Sequence, residues 1–242
     1  MQLLIYETAV PVSSLHHATA CVEVGSDYRF SKNVNSVPLM AVEFPFAAAE
    51  YAIIFAGTGD VPMPAVILGM RDRENLFLND GGTWQATYVP AFVRRYPFVF
   101  STGDEGKTFT LCIDEAFSGF NREGRGQRLF NDEGKPSTFT DNALKFVQEY
   151  QWQFERTKAF CQKLAQLELL EPMQAQVSLP TGETTSLTGF MAVNRNKLKA
   201  LSGEKLAELA KTDELELLYL HLFSMRNFST MKDRLQSAPA TR

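Results

Sequence analysis

The sequence has few of the residues from which disulfide frameworks, metal sites and many catalytic centres are built. Among its 242 residues are 3 Cys, 3 His and 2 Trp. Cys21, Cys112 and Cys161 lie far apart and are odd in number, a distribution that disfavours a disulfide framework and a cysteine-based zinc site. We therefore predict reduced thiols in the cytoplasm, and neither a metal nor another cofactor.

Long apolar runs and an excess of basic residues are missing too. The best candidate for a membrane span, residues 51–59, is far shorter than the roughly 18 apolar residues that a spanning helix needs. No basic residue precedes Glu7, so the N-terminus does not resemble a secretory signal. A net charge of −4 gives no electrostatic reason to expect nucleic-acid binding. We expect no membrane span and no nucleic-acid partner.

Aromatic residues, and phenylalanine above all, are abundant. The chain contains 19 Phe, and its 45% hydrophobic and 21% charged residues are typical of a globular protein with a substantial core. Six of the phenylalanines lie in or beside predicted strands: Phe44, Phe55, Phe77, Phe98, Phe100 and Phe109. We predict that these side chains pack in the core of a β-rich half.

The residue pattern changes near position 140. Before it, short apolar or β-branched segments alternate with Gly, Pro, Asn and Asp, which predicts strands and turns. Residues 119–136 are Gly-rich and charged, and are predicted to form a long surface loop or an internal linker. After Thr140, a predicted N-cap, apolar residues recur at helical spacing and predict one long amphipathic helix. Its buried face is predicted to consist of Ala143, Val147, Tyr150, Phe154, Thr157, Cys161 and Leu164.

A hairpin and short helices are predicted after the long helix. The hairpin turns at residues 180–183, and Ser202 and Thr212 are predicted to cap two helices. The fold class is therefore α+β. A β-rich N-terminal half, as a small twisted sheet or partial barrel, precedes a long amphipathic helix, a β-hairpin and short C-terminal helices. We predict a single domain over 1–242, with a strand-rich part (1–140) and a helix–hairpin–helix part (141–235).

Catalytic signatures are mostly missing. The sequence contains no GxSxG elbow, phosphate loop or HExxH motif. A histidine metal site would need His16 or His17 to meet His221 across the fold. The alternative places His16 and His17 on an N-terminal turn and His221 on a helix beside core leucines, and we expect this second arrangement.

One segment, residues 84–98, concentrates rings and cations. Its ligand-binding candidates are Trp84, Tyr88, Arg94, Arg95 and Tyr96. Guanidinium groups bind carboxylates through paired hydrogen bonds and stack on aromatic rings, so the segment predicts an anion- or peptide-binding corner. The alternative is that Phe92 and Phe98 belong to the core and that an arginine pairs internally.

Asp114 and Glu115 follow a predicted strand. Because neighbouring residues of a strand point to opposite faces, only one of these carboxylates is expected to face inward. A buried Asp114 needs a partner, and Arg94 or Arg95 is predicted to form a structural ion pair with it. A catalytic carboxylate is the alternative. Arg71 is a further ligand-binding candidate.

Ten short motifs are spread between Leu15 and Leu235. In chain order they are Asp27–Phe30, Val37–Leu39, Glu43–Pro45, Leu68–Arg71, Glu74–Phe77, Tyr88–Ala91, Arg94–Phe98, Leu111–Glu115, Leu170–Met173 and Leu187–Phe190. In their order and number these motifs resemble the bacterial SapC family.

The resemblance implies an accessory role and supplies no catalytic residues. Family members are associated with surface-layer gene clusters, and others are encoded near TonB-dependent receptors, tryptophan halogenases and oxygenases. We therefore expect a binding or accessory protein in a peptide- or metabolite-modification or uptake system. Its partner would be a peptide, a small ligand or a protein from a neighbouring gene. An enzyme that acts on a peptide or small acid through an Arg/carboxylate pocket is one alternative, and a surface-layer-associated structural component is another.

Overall fold

The computed structural model describes residues 4–57, 61–103, 108–178 and 184–237. Its strands are β1 (Ala9–Pro11), β2 (Cys21–Val22), β3 (Ser36–Pro38), β4 (Ile53–Ala56), β5 (Met63–Ile67), β6 (Phe98–Gly103), β7 (Thr108–Asp114), β8 (Phe120–Asn121), β9 (Gln127–Arg128), β10 (Leu170–Ser178) and β11 (Thr184–Val193). Its helices are α1 (Ser14–His17), α2 (Phe44–Ala47), α3 (Ala91–Arg94), α4 (Thr138–Gln166), α5 (Arg195–Lys199), α6 (Gly203–Lys211), α7 (Glu214–Ser224) and α8 (Asn227–Ser237). The predicted α+β fold is confirmed.

Antiparallel pairing joins the described strands into sheets with the orders β1-β7-β6, β10-β11-β4-β5-β3 and β8-β2-β9. The hairpin of β10 and β11 follows the long helix in the chain, yet it extends an N-terminal sheet. Met191 of β11 pairs with Phe55 of β4. The two predicted parts of the chain therefore share one sheet, and the predicted single domain stays a prediction.

The Gly-rich stretch 119–136 contains more regular structure than the predicted loop. Two short strands within it, β8 and β9, pair with the two sides of β2. Gly126 allows this approach, because a Cβ atom there would lie 2.3 Å from the Val22 carbonyl oxygen, and its φ is +81°. This glycine, one of those that led to the prediction of a surface loop, is thus required for close packing.

The long helix α4 has the predicted buried face but begins earlier than predicted. Five of its seven predicted residues, Val147, Tyr150, Thr157, Cys161 and Leu164, are buried, which confirms the apolar periodicity, and the other two, Ala143 and Phe154, are partly buried. The predicted cap at Thr140 is wrong, because Ser137 is the N-cap and its side chain accepts the N–H of Thr140. The Thr140 hydroxyl instead donates to the Leu129 carbonyl at 2.7 Å. Here a tertiary hydrogen bond takes the place of the predicted cap.

The C-terminal caps are correct at one position and wrong at the other. Ser202 caps α6, accepting the Lys205 N–H at 3.4 Å. Thr212 does not cap α7, whose N-cap is Asp213 in a left-handed conformation with φ 59°. The predicted hairpin turn at 180–183 lies outside the described residues.

Two apolar clusters form the core. The larger cluster joins the five-stranded sheet to α2, α4, α7 and α8, and the smaller one lies between the other sheets and the first turns of α4. Five of the six phenylalanines predicted to be buried are buried, but Phe109 is 44% exposed. Phe109 packs on Phe100, a member of the smaller cluster, with ring centroids 5.5 Å apart. Of the helices in the described ranges, none has the length and apolarity to cross a membrane.

Candidate functional site

A cleft of about 550 Å³ opens between the turn before α2, the segment before α3 and the first half of α4. Its walls are mainly apolar and include Met40, Val42, Phe46, Val89, Ala91 and Phe146. Val42 and Phe46 are 47% and 60% exposed although both are apolar. A concave apolar surface with a few polar groups is the usual form of a ligand site, so the cleft is the candidate site.

The turn that forms one wall of the cleft is held against α4. Ala41–Glu43 is a 3₁₀ turn that leads into α2. The N–H of Ala41 donates to the Thr157 hydroxyl of α4 at 2.9 Å. The Glu43 carboxylate closes the turn, since it accepts the Met40 N–H at 2.8 Å.

Glu43 also ties this turn to the second wall. Its carboxylate accepts the Tyr88 hydroxyl and the Ala91 N–H, each at 2.7 Å, and the residue is 3% exposed. Burial raises the pKa of the Glu43 carboxyl above its usual value, although the hydrogen bonds and the Arg94 charge act in the opposite direction. Two distant parts of the chain thus meet at one buried carboxylate.

The segment before α3 is fixed by a second set of hydrogen bonds. The Glu50 carboxylate accepts the N–H of Thr87 at 2.8 Å and that of Tyr88 at 3.0 Å. The Tyr51 hydroxyl donates to the Tyr88 carbonyl, and the Trp84 indole donates to that hydroxyl at 2.8 Å. The Tyr88 backbone is therefore held in the wall through both its N–H and its carbonyl.

Arg94 lies at the cleft with its guanidinium over two aromatic rings. The guanidinium is 5.6 Å from the Tyr88 ring centroid and 5.3 Å from that of Phe146. Its Nε donates to the Val89 carbonyl at 2.9 Å, and its Nη2 to the Tyr88 hydroxyl at 3.4 Å. Within the described ranges no carboxylate forms an ion pair with Arg94.

Arg95, the next residue, is buried behind the cleft. It is 3% exposed, and its guanidinium lies 4.5 Å from the Phe92 ring centroid and 4.4 Å from that of Tyr150. Phe92 is itself 2% exposed, so the alternative that placed it in the core is correct. Because successive helical residues point in directions about 100° apart, only one of the two arginines faces the cleft.

Trp84 and Tyr96 do not line the cleft. Trp84 is 7% exposed and packs in the larger core cluster. Tyr96 stacks on Phe30 with ring centroids 4.1 Å apart, and its hydroxyl donates to Asp114 at 3.4 Å. Trp84, Tyr88 and Tyr96 lie at intervals of four or eight residues in the sequence, yet only Tyr88 lines the cleft.

The expected ion pair of Asp114 with an arginine is not formed. Asp114 is 0% exposed, and its oxygens accept the N–H groups of Glu7 at 2.8 Å, Thr8 at 2.9 Å and Ala116 at 3.0 Å. These amides lie beside the carboxylate because β1 pairs with the end of β7. The sequence-based hypothesis overlooked backbone N–H groups, which satisfy a buried carboxylate as a cation would.

Glu115 and Arg71 lie away from the cleft. Glu115 is 3.2 Å from His17 Nε2 and 3.6 Å from the Arg122 guanidinium. Arg71 pairs with Glu74 at 3.2 Å in the loop after β5. Of the eight sequence-predicted ligand residues, Tyr88 and Arg94 line the cleft, and Trp84, Arg71, Arg95, Tyr96, Asp114 and Glu115 do not.

The histidines have the expected structural placement, His17 on α1 and His221 on α7. His221 is 0% exposed, its Nε2 accepts the Val193 N–H at 3.0 Å, and burial lowers its pKa to about 4.

Burial raises the pKa of the Cys161 thiol to about 12, which disfavours a nucleophilic thiolate. The part of the chain that the structure describes contains no cluster of three potential metal ligands.

Several cleft residues were not predicted from the sequence. These are Val42, Glu43, Phe46, Phe146, Glu149, Tyr150 and Gln153. Glu43 was marked only as part of the motif Glu43–Pro45, and Tyr150 only as a residue of the buried helix face. An acidic residue directly before an apolar, Pro-containing helix start is a pattern that could have identified Glu43.

The family comparison covers every part of the cleft. A family model described as SapC matches residues 12–231. The chain belongs to the SapC family. Three of the motifs that suggested SapC, namely Glu43–Pro45, Tyr88–Ala91 and Arg94–Phe98, contribute residues to the cleft. No match was found among curated proteins or among solved structures.

Proposed function

We propose that this SapC-family protein is a binding or accessory protein whose cleft recognises a peptide with an apolar side chain beside a carboxylate. The proposal depends on one observation above the others. Arg94 lies in a mainly apolar cleft, and no carboxylate of the described chain pairs with it. A ligand carboxylate would form the direct ion pair that Arg94 lacks.

The hydrogen bonds of Arg94 leave donors for a ligand. A guanidinium has five N–H donors, and the acceptors of Arg94 are the Val89 carbonyl and the Tyr88 hydroxyl, both neutral. These contacts hold the group in place without neutralising it. A carboxylate that binds the remaining N–H groups forms a charge-assisted pair, which is stronger than a neutral hydrogen bond.

The apolar walls favour a ligand with an apolar group. The Phe46 ring stacks on the Tyr88 ring with centroids 5.5 Å apart, yet Phe46 stays 60% exposed. Covering such surface contributes about 25 cal/mol per Å² of apolar area. The cleft volume of about 550 Å³ is in the range usual for small-ligand sites.

Polar groups on α4 favour a peptide over a simple organic acid. Glu149 and Gln153 line the cleft from α4, while Arg94 lines it from α3. Gln153 donates to Glu149 at 2.8 Å, which leaves further acceptors on Glu149 and an acceptor and a second N–H on Gln153, whereas Arg94 supplies only donors. A peptide segment has N–H groups and carbonyls for both kinds of partner.

The enzyme alternative receives less support from this geometry. It requires Arg95, Asp114, Tyr88 and a histidine in one concave site, but only Tyr88 lines the cleft. The acid that does lie there, Glu43, already accepts hydrogen bonds from Met40, Tyr88 and Ala91. A carboxylate so occupied is better suited to hold the walls together than to transfer protons.

Peptide arrays followed by fluorescence anisotropy test the proposal. The array presents overlapping segments of the proteins encoded beside the gene, and each hit is resynthesised with its carboxylates replaced by amides. We expect acidic peptides to bind and their amide versions to bind at least about tenfold more weakly. One charge-assisted hydrogen bond is worth about 1.5–3 kcal/mol, which supports that factor.

Two arginine variants make the test specific. We expect Arg94→Ala to reduce affinity for the acidic peptide by at least about tenfold. Arg156→Ala is the matched control, since Arg156 also stacks on an exposed ring, Trp152 at 4.7 Å, but does not line the cleft. Equal affinity of wild type and Arg94→Ala, or no acidic peptide bound at all, would contradict the proposal.

A further inference from the structure

The outer face of α7 exposes aromatic side chains that the chain itself does not cover. Tyr219 is 45% exposed and Phe223 is 46% exposed, whereas Leu218 and His221 on the other face are both 0% exposed. The Arg226 guanidinium, just after the helix, lies 4.2 Å from the Phe223 ring centroid. A helix that is apolar on its outer face as well as its inner one usually has a partner there.

Four residues form a continuous stripe along this face. They are Glu216, Tyr219, Phe223 and Arg226, and we call them the α7 stripe. Their spacings of three, four and three are those of residues that follow one side of a helix. Beside the stripe is an open cavity of about 500 Å³, which Arg195 also lines.

The charges at the ends of the α7 stripe have no opposite charge within the chain. Over the described residues, neither Glu216 nor Arg226 forms an ion pair, and neither does Arg195. An apolar centre with charged ends is the usual composition of a protein interface. The charges therefore restrict which partner fits.

The α7 stripe is complementary to itself when it is reversed. Glu216 and Arg226 lie at equal distances on either side of position 221, and so do Tyr219 and Phe223. Two copies that meet with antiparallel α7 helices therefore place Glu216 against Arg226 of the partner subunit. The same register places Tyr219 against Phe223 of the partner subunit, and the two-fold axis repeats both pairs.

We propose that a second copy of this chain binds the α7 stripe, forming a two-fold symmetric dimer with antiparallel α7 helices. Along the α7 stripe an acidic residue is followed by two aromatic residues and a basic residue. This order favours a second copy as the partner, because each copy supplies every group that the other requires. The inference is independent of the proposed peptide site, since the two cavities share no lining residue.

Sedimentation velocity on the full chain over a wide concentration range tests the dimer. We expect a monomer–dimer equilibrium that Glu216→Arg and Arg226→Glu each weaken by at least about tenfold, because each variant juxtaposes like charges twice. Both positions are exposed, so circular dichroism should show an unchanged fold. Phe223→Ser should weaken the dimer similarly, whereas Trp152→Ser, at an exposed ring with its own stacked arginine, should not.

Mixing the two charge variants distinguishes this register from any other. In a mixture of Glu216→Arg with Arg226→Glu, every facing pair again has opposite charges, so the mixture should form heterodimers although neither variant dimerises well alone. The double variant should form homodimers for the same reason. A wild-type chain that stays monomeric, charge variants that dimerise as well as wild type, or a mixture that stays monomeric would each overturn the proposal.

Discussion

Glu43 and Asp114 are both buried carboxylates, 3% and 0% exposed, in regions with different surroundings. Asp114 accepts the N–H groups of Glu7, Thr8 and Ala116 in a closed corner of the fold. Glu43 accepts two backbone N–H groups and the Tyr88 hydroxyl at the edge of an open cleft. Both carboxylates have their hydrogen bonds satisfied, and both join segments that are distant in the chain.

The comparison teaches that burial and hydrogen bonding do not by themselves identify a functional acid. What separates the two regions is the space beside the carboxylate. Tyr96, which donates to Asp114, packs on the Phe30 ring, and its other neighbours are aromatic as well. Tyr88, which donates to Glu43, also contacts Arg94, whose guanidinium forms no ion pair within the described chain. The open cleft and its unpaired cation make the second region a candidate site.

Removing the carboxylate of the closed corner should have the largest effect. We expect Asp114→Ala to lower the free energy of unfolding by about 4 kcal/mol, because several backbone N–H groups lose a charged acceptor in a buried place. Urea unfolding at neutral pH measures the change. Glu115→Ala is the matched neighbour, and its partly exposed carboxylate should matter by less than about 1 kcal/mol. If Asp114→Ala and Glu115→Ala lost similar amounts of unfolding free energy, the prediction that the buried Asp114 matters more would be wrong.

At acidic pH a third buried group, His221, also changes the stability of the protein. Burial lowers its pKa to about 4, below the usual value of 6.5. The folded state therefore binds fewer protons than the unfolded state between these values, so stability is present above pH 6.5 and is lost as the pH falls toward 4. We expect this loss to be about 3 kcal/mol in wild type and to disappear in His221→Gln, as measured by urea unfolding at several pH values. An unchanged pH profile in the variant would contradict the assignment.

In the His221→Gln variant the smaller pH dependence of stability that Glu43 contributes becomes measurable. Its sign is opposite to that of His221. Because burial raises the pKa of Glu43, its stabilising contribution is fully present below the unfolded pKa of 4.5 and is lost as the pH rises through the folded value. The free energy of unfolding of His221→Gln should therefore rise as the pH falls, and this rise should become smaller when Glu43→Gln is added. At neutral pH it should cost about 1 kcal/mol, since the amide keeps one acceptor oxygen. Identical pH profiles with and without Glu43→Gln would show that this carboxylate titrates normally.

The smallest effect on stability is expected at the cleft itself. Arg94→Ala should change the free energy of unfolding by only about 0.5 kcal/mol although it weakens peptide binding, because Arg94 is exposed and bonded to neutral groups. Arg95→Ala should cost more than about 2 kcal/mol, since its buried side chain packs on the rings of Phe92 and Tyr150. Thermal and urea unfolding of both variants provide the measurement. If Arg94→Ala lost more unfolding free energy than Arg95→Ala, the prediction that Arg95 is the structural residue of the two would be wrong.

Local patterns in the sequence predicted the elements that depend on nearby residues. The buried face of α4 follows from apolar residues that recur every three or four positions. The capping of α6 by Ser202 follows from a hydrogen bond between neighbours in the chain. The cap of α4 was mispredicted, because Thr140 bonds to Leu129 in another part of the fold.

The candidate site was predicted only in part. The aromatic and cationic segment includes Tyr88 and Arg94, which line the cleft and stack on each other, because rings and guanidinium groups attract each other in any fold. The same pattern also included Arg95 and Trp84, which are buried. Composition indicates which groups interact, but it does not indicate which of them face an opening.

By itself the sequence determined the α+β class, the amphipathic face of α4, the resemblance to SapC and the aromatic and cationic segment that contains Arg94. Each of these depends on residue order over short distances. Only the tertiary structure decided that Glu43 meets Ala91, that backbone amides satisfy Asp114, and that the β10–β11 hairpin joins β4. The physical reason is that a hydrogen bond or a cleft wall formed by distant residues depends on their separation in space, which local periodicity does not specify.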